Sequence, residues 1–315
     1  MANYGPLEDK LVVLIGGSGF IGRQVAQDLL ERGARLRIAA RNPEKAFSLK
    51  PLANLGQIQF ARCNAADKAS VEACVAGADA VVYLVGTFGK NQRALQATGA
   101  GVAAAAAAAN GAQSFVYVSA IGADATSKTG YFRTKGEGEQ LVREAFPQAT
   151  ILRPSAVFGE DGGFVPLFAD LAQSLPVLPV FGAESKLQPV WVADLAEAIG
   201  NALAAPATHG GKTYEIAGPD QLSMEEINRA IAKGQQRDPI VFAVPDTLAR
   251  LAAALPLAPI NRDQLTMLEK GSVASGALPG IDALGVTAKP LSLFLDKWMT
   301  RYRKHGRFTA ERKPA

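Results

Sequence analysis

The sequence predicts an α/β protein: a doubly wound, mainly parallel sheet with a smaller, mainly helical C-terminal lobe. Three observations carry this prediction. Apolar, β-branched runs alternate with segments of helical spacing along residues 1–218. The first run opens directly into a glycine-rich turn and a helix. The alternation is interrupted at 160–188 by Pro166, Pro176 and Pro179, and after residue 218 it gives way to proline-punctuated, more helical sequence.

The elements follow in order. Leu11–Gly17 is continuous and apolar, as expected of a strand buried on both faces. IGRQVAQDLLERG has helical spacing and stops at Gly33. Arg35–Arg41 and Ile58–Cys63 read as the second and third strands, and SVEACVAG as the helix after them. Asp79–Gly86 is a fourth strand. The next helix contains seven consecutive alanines, Ala103–Ala109. Alanine combines high helix propensity with little bulk, so this helix is expected to pack close to the sheet. Ser114–Ala120 is a fifth strand, Thr150–Gly159 a sixth, Pro189–Ala204 a helix and Lys212–Gly218 a seventh strand. The expected organisation is a dinucleotide-binding domain over 1–218, to which 160–188 adds part of the small lobe. The small lobe itself spans 219–295 and a basic amphipathic tail 296–315. The two lobe pieces are expected over the carboxyl edge of the sheet.

Composition narrows the function classes. The chain has 315 residues, 48% apolar and 20% charged, a normal globular balance. Two cysteines, Cys63 and Cys74, and two histidines, His209 and His305, leave no disulfide framework and argue against a Cys/His metal site. No leader is visible at the N-terminus and no apolar run reaches the length of a membrane span, so a cytoplasmic location is expected. The formal charge of +4 is unevenly placed. Residues 296–315 hold seven basic and two acidic side chains, leaving the preceding 295 residues near −1. Nucleic acid fits poorly, because the positive charge is short and confined to one end.

GGSGFIG, residues 16–22, places glycines at 16, 19 and 22. One serves a tight turn, one lets the backbone approach a pyrophosphate, and one lets the helix pack on the strand. The helix N-terminus then offers its free N–H groups to the phosphates. The motif follows a strand and opens a helix, the context that gives it meaning. Where an NAD site would carry an acidic residue after the second strand, this sequence has Ala39, Ala40 and Arg41, and Arg23 follows the last glycine. Guanidinium forks suit a ribose 2′-phosphate, so NADP(H) is favoured over NAD(H). The expected cofactor contacts are Gly16, Ser18, Gly19, Phe20, Ile21, Gly22, Arg23, Arg41, Asn64, Val85, Gly86, Ser119, Tyr131, Lys135 and Pro154.

Tyr131 and Lys135 share one face of the helix after the fifth strand. An adjacent ammonium would lower the phenol pKa and allow proton exchange near neutrality. Ser119, at the end of that strand, could hydrogen-bond a carbonyl substrate. Ser119, Tyr131 and Lys135 are therefore catalytic candidates. In the alternative reading, Lys135 only anchors the nicotinamide ribose and Tyr131 packs beside it.

GGSGFIGRQVAQDLLERG, AARNPEKA, LVGTFG and FVYVSAIGAD resemble an extended, atypical short-chain dehydrogenase/reductase with a Rossmann-like sheet. GYFRTKGEGEQLVREAFPQATILRPSAVFGEDGGF, LQPVWVADLAEAI and NRDQLTMLEKGSVASGALPGIDALGVTAKPL narrow the resemblance to the NAD(P)-binding accessory subunit family of respiratory complex I and its bacterial relatives. The resemblance implies NADPH retained for structure and attachment to the peripheral arm of that complex. It also implies cofactor contacts at Gly16, Gly19, Gly22, Arg41, Tyr131 and Lys135. The mitochondrial member carries an import sequence, so a bacterial cytoplasmic location fits this chain better. Only twelve residues separate Ser119 from Tyr131, a shorter gap than in active extended members, which bears on the role of Ser119.

In Pro290–Phe308, the side chains Leu291, Phe294, Leu295, Trp298, Met299 and Tyr302 form one helical stripe with basic residues around it. Packing on the small lobe accounts for the stripe. The surplus charge suggests contact through 291–313 with anionic lipid on the cytoplasmic face of the membrane, or with an acidic partner. Three functions therefore compete: an NADPH-holding subunit of complex I; an NADP-dependent oxidoreductase, epimerase or dehydratase; and a sensor of the NADPH/NADP⁺ ratio.

Overall fold

A computed structural model of the chain describes residues 5–245, 247 and 262–304. The chain divides into two compact units. The first comprises Met1–Pro154, Val192–Ile216 and Ala274–Thr287; the second comprises Ser155–Trp191, Ala217–Val273 and Ala288–Ala315.

The first unit is built on a seven-stranded parallel sheet. Its strands are β1 (Leu11–Ile15), β2 (Arg35–Ala40), β3 (Ile58–Arg62), β4 (Ala80–Tyr83), β5 (Ser114–Val118), β6 (Thr150–Pro154) and a seventh at Thr213–Ile216. The spatial order is seventh–β6–β5–β4–β1–β2–β3. The chain runs outward from β1 through β2 to β3, then returns to add β4 on the other side. The carboxyl ends of β1 and β4 therefore flank a topological switch point, where open α/β sheets bind ligands. The apolar runs end up where continuous hydrophobicity requires: β4 and β5 are buried at every residue.

Helix α1 (Phe20–Glu31) packs against Val192–Ala204 on one face. Helices α2 (Lys68–Val75), α3 (Gly99–Ala109) and α4 (Gly130–Ala145) form the layer on the other. In α3, Ala100, Ala103, Ala104, Ala106 and Ala107 are buried in the same core cluster as Val81, Tyr83, Phe115 and Tyr117. The alanine run is thus a close-packing surface against β4 and β5. A π-helical turn, Arg93–Thr98, leads into α3. Its distorted backbone leaves carbonyls that core tyrosines satisfy: the Tyr83 hydroxyl donates to Leu95 O, and that of Tyr117 to Gln96 O at 2.8 Å.

Three expected elements differ in detail. Thr150–Gly159 is not one strand: β6 ends at Pro154, and Val157–Gly159 is a separate strand in the second unit, pairing with Val190–Trp191 and Gly162–Gly163. Periodicity cannot mark this break, because both halves are apolar. Val190–Trp191 is accordingly strand, and the helix expected from Pro189 begins at Val192. The C-terminal helix spans Ser292–Trp298 and tightens into a 3₁₀ turn at Met299–Tyr302.

The second unit has its own core, in which Phe158, Leu178, Ile227 and Ile231 meet the C-terminal stripe. Leu291, Leu295, Trp298, Met299 and Tyr302 are all buried, and Phe294 stacks on Trp298 with ring centroids 4.7 Å apart. The stripe is therefore an internal packing surface and presents no free apolar face to lipid. Arg301 donates to Asp161 and Glu160 O, and Arg303 to Gly234 O. Of the other basic residues of the tail, Lys297 and Lys304 are exposed, and Arg307, Arg312 and Lys313 lie outside the described residues.

Helix α4 packs closely on the π turn and β5 at Gly138, where a Cβ would lie 2.5 Å from both Gln96 O and Tyr117 Oη. Gly138→Ala is expected to destabilise the fold by about 1–3 kcal/mol through overpacking. The readout is the urea midpoint; an unchanged midpoint would show that α4 can move away from the π turn at no cost.

Candidate functional site: a dinucleotide cleft and a buried carboxylate beside it

The glycine loop joins β1 to α1. Gly16 takes a positive φ of +88° and donates to Ala39 O at 2.8 Å, tying the turn to β2. Gly17 closes a turn onto Leu14 O and Gly19 onto Gly16 O. At Gly22 a Cβ would sit 2.6 Å from Gly17 Cα, so only glycine lets α1 pack this closely on the loop. Gly19 precedes α1 and no side chain caps the helix, which leaves its first-turn N–H groups for an anion.

This loop forms one wall of a cleft of about 280 Å³. The cleft is lined by Gly16, Ser18 and Gly19; by Ala39 and Ala40 at the end of β2 and Arg41, Asn42 and Lys45 after it; by Cys63 and Ala65 after β3; and by Leu84, Val85, Gly86 and Thr87 after β4. Thr87 N donates to Oε1 of the buried Gln96, whose Nε2 donates to Thr134, so the π turn fixes the loop after β4. The uncapped helix end, the loop too tight for a Cβ and the cationic rim at Arg41 and Lys45 all suit a dinucleotide with its pyrophosphate on α1.

Gly16, Ser18, Gly19, Arg41, Val85 and Gly86 line the cleft together. Phe20, Ile21, Gly22 and Arg23 belong to the first turn of α1 and do not line it; nor does Asn64, whose side-chain Oδ1 accepts from Ala66 N. Pro154 ends β6, and its carbonyl accepts from Ile121 N. Asn42, Lys45, Cys63, Ala65 and Thr87 line the cleft without having been singled out from the sequence. Of these, Lys45, four residues beyond Arg41, was within reach of a charge-pattern argument.

The catalytic candidates lie beside the cleft, with their polar groups engaged by the protein itself. Ser119 Oγ donates to Glu139 Oε1 at 2.6 Å. Glu139 is only 2% exposed and also receives Arg153 through two bonds of 2.8 and 2.7 Å, with Arg143 at 3.4 Å. Lys135 Nζ donates to Val118 O at 2.7 Å and Val85 O at 3.2 Å, lashing the ends of β5 and β4 together close to Gly86. Tyr131 stacks on Phe88 with centroids 4.6 Å apart. The lowered phenol pKa expected from Lys135 is not what the structure gives: burial pushes Tyr131 up to about 12. Burial also brings the Lys135 ammonium down to about 7, against a smaller opposing pull from Glu139.

Fold and cleft define a class: an NAD(P)H-binding protein on a Rossmann-type parallel sheet. Residues 16–170 match the family model described as NAD(P)H-binding. The chain is 30% identical over 312 residues to the mitochondrial NADH dehydrogenase [ubiquinone] 1 alpha subcomplex subunit 9 of Rattus norvegicus, covering 96% of this chain and 82% of that protein. It is 28% identical over 252 residues to the ceramide reductase of Caulobacter vibrioides, covering 78% and 77%. Among solved structures, an NADPH-dependent quinone oxidoreductase from Escherichia coli shares the fold, with a TM-score of 0.68 at 20% identity over 90% of this chain and 98% of that one. The chain belongs to the family of NADH dehydrogenase (ubiquinone) 1 alpha subcomplex subunit 9.

The Lys135 shift has a pH signature. In the unfolded chain the ammonium keeps its proton up to about pH 10.5, whereas in the folded protein it is lost near pH 7. The unfolded state therefore binds more protons across that interval, and stability rises with pH there. Subtracting the stability profile of Lys135→Met from that of the unmodified protein should isolate this rise. A flat difference between pH 7 and 10 would show that Lys135 stays charged in the fold.

Proposed function

We propose that this protein is an accessory subunit of a respiratory NADH:ubiquinone oxidoreductase that holds NADPH as a structural group and does not turn it over. The observation that carries this reading is the commitment of Ser119 to Glu139. A serine that must polarise a substrate carbonyl needs its hydroxyl proton free. Here that proton points at a buried carboxylate, itself held by Arg153. Tyr131 lies under Phe88 with a raised pKa, so it holds its proton and is a poor acid–base group near neutrality. Lys135 is spent on two backbone carbonyls. The association with a respiratory complex is supported by the likeness to the Rattus norvegicus subunit, which runs along 96% of the chain and so beyond the matched NAD(P)H-binding segment. In this reading the protein sits peripherally on the respiratory membrane; among the described residues no helix is long and apolar enough to cross it.

The preference for NADP(H) over NAD(H) belongs to the same reading. Arg41 and Lys45 line the cleft after β2 and no acidic side chain does. A guanidinium and an ammonium there favour a 2′-phosphate over a ribose hydroxyl. When bound, the dinucleotide would supply hydride chemistry. The residues around it bind its phosphates at Gly16–Gly19, grip its 2′-phosphate at Arg41 and Lys45, and hold the strand ends at Lys135.

A second reading, hydride transfer to a small carbonyl compound, is favoured by the likeness to a ceramide reductase. It requires Ser119 to leave Glu139 and Tyr131 to emerge from beneath Phe88.

The experiment is native purification from membranes, with mass spectrometry of the partners and of the bound nucleotide. The chain is expected to copurify with the respiratory complex and to keep NADPH through gel filtration. Nucleotide-dependent reduction of a defined substrate at enzymatic rates, abolished by Tyr131→Phe, would establish the second reading instead. For the cofactor, replacing Arg41 and Lys45 by Ala together should weaken NADPH binding by about tenfold or more, a loss of about 1.4 kcal/mol, and leave NADH binding nearly unchanged. Equal losses for both nucleotides would remove the 2′-phosphate from the account.

A further inference from the structure

We propose that Cys63 and Cys74 form an oxidisable dithiol, a site of reversible disulfide formation that opens onto the dinucleotide cleft and is closed when the cleft is filled. Cys63 directly follows β3 and lines the cleft, and Cys74 lies in the last turn of α2. Each sulfur lies against the backbone that carries the other. Cys63 Sγ is 4.0 Å from Ser70 O, one helical turn before Cys74; Cys74 Sγ is 3.7 Å from Arg62 O, the residue before Cys63. These contacts make the two side chains neighbours between β3 and α2.

Both side chains are almost wholly buried, 3% and 5% exposed, in the core cluster that includes Val71, Val75 and Ala65. Buried cysteines in apolar surroundings are ordinarily inert. Two features set this pair apart. Cys63 reaches the wall of an open cleft, which gives a small oxidant a route. Arg37 donates to Cys74 O at 2.7 Å and to Ala76 O at 2.8 Å, which brings a fixed positive charge next to Cys74. The contact from Cys63 and the Arg37 charge hold the Cys74 thiol below its ordinary range, while that same contact and burial raise the Cys63 thiol.

The chemistry balances with a peroxide as oxidant. The Cys74 thiolate, favoured by Arg37, attacks one oxygen of hydrogen peroxide, the O–O bond breaks, and the hydroxide that leaves takes up the proton given up by Cys74 as water. Cys74 is then a sulfenic acid. The Cys63 sulfur attacks the Cys74 sulfur, the S–O bond breaks, and the departing hydroxide takes up the Cys63 thiol proton to leave as a second water. Two thiols and one peroxide become one disulfide and two waters, and a dithiol reductant reverses the change. The new bond draws residues 63–65 toward α2, away from the position in which Cys63 and Ala65 line the cleft. Nucleotide and disulfide therefore oppose one another. By linkage, whatever factor the nucleotide imposes on the disulfide equilibrium, the disulfide imposes on nucleotide affinity.

The test uses the full chain, reduced and freed of nucleotide, and treated with hydrogen peroxide with or without saturating NADP⁺. Calorimetry of NADP⁺ on the reduced protein comes first, so that a failure to bind nucleotide is seen separately. The expected product in the free protein is the tryptic peptide Cys63–Lys68 cross-linked to Ala69–Lys90. Its formation should be slowed about tenfold or more by NADP⁺, and the oxidised protein should bind NADP⁺ about tenfold more weakly until dithiothreitol is added, each factor corresponding to about 1.4 kcal/mol. In Cys63→Ala, with folding checked by circular dichroism, Cys74 should accumulate as a sulfenic acid trapped by dimedone. The proposal is overturned if peroxide yields no cross-linked peptide, if NADP⁺ leaves its rate unchanged, or if Cys74 in the folded Cys63→Ala protein gives no adduct.

Discussion

A buried carboxylate organises the region beside the cleft. Glu139, on α4, receives Ser119 from the end of β5 and a two-pronged guanidinium from Arg153 on β6. Three elements, α4, β5 and β6, are thereby tied to one charge. Such an arrangement tolerates no half measures. With all partners present the desolvated charge is compensated; with Arg153 removed, an uncompensated buried charge would cost about 3–5 kcal/mol. One turn before Glu139, Lys135 crosses to the ends of β4 and β5, so α4 is bolted to the carboxyl edge of the sheet at two successive turns.

That bolting shapes what the cleft can do. The glycine loop, the open end of α1 and the cationic rim form a binding surface made largely of backbone and fixed charge. The groups that would carry out proton transfer are instead used to hold the fold. Tyr131 keeps its proton more tightly than a free phenol, Lys135 less tightly than a free ammonium, and Ser119 has already given its hydrogen bond away. A site with strong binding features and pre-engaged catalytic groups is suited to retaining a dinucleotide. The π turn adds to this rigidity through Gln96, which braces the loop after β4 from within the core.

The parts that were legible in the sequence are those governed by local patterns. Strands β1–β5 stood out because parallel strands covered on both faces are continuously apolar, and the glycine loop because close backbone approach admits no other residue. The alanine run reads correctly as a close-packed helix because small side chains have few other uses at that density. The break at Ser155, where the chain leaves one unit for the other, was not legible, since Ile151, Leu152, Val157 and Phe158 are equally apolar on either side. At the site, the spacing of Tyr131 and Lys135 was visible, but their proton affinities were not, because desolvation is set by neighbours distant in sequence such as Phe88. Glu139 and Gln96 belong to no motif. Their importance comes from which buried partners reach them, and that is a property of the fold.

The central claim is that the dinucleotide is held and not consumed. It is tested most directly by following the near-ultraviolet absorbance of the reduced nicotinamide bound to this chain in the purified membrane complex, while that complex oxidises NADH. The account predicts that the bound NADPH signal stays constant over many turnovers. Its loss and recovery at the rate of turnover would contradict the account.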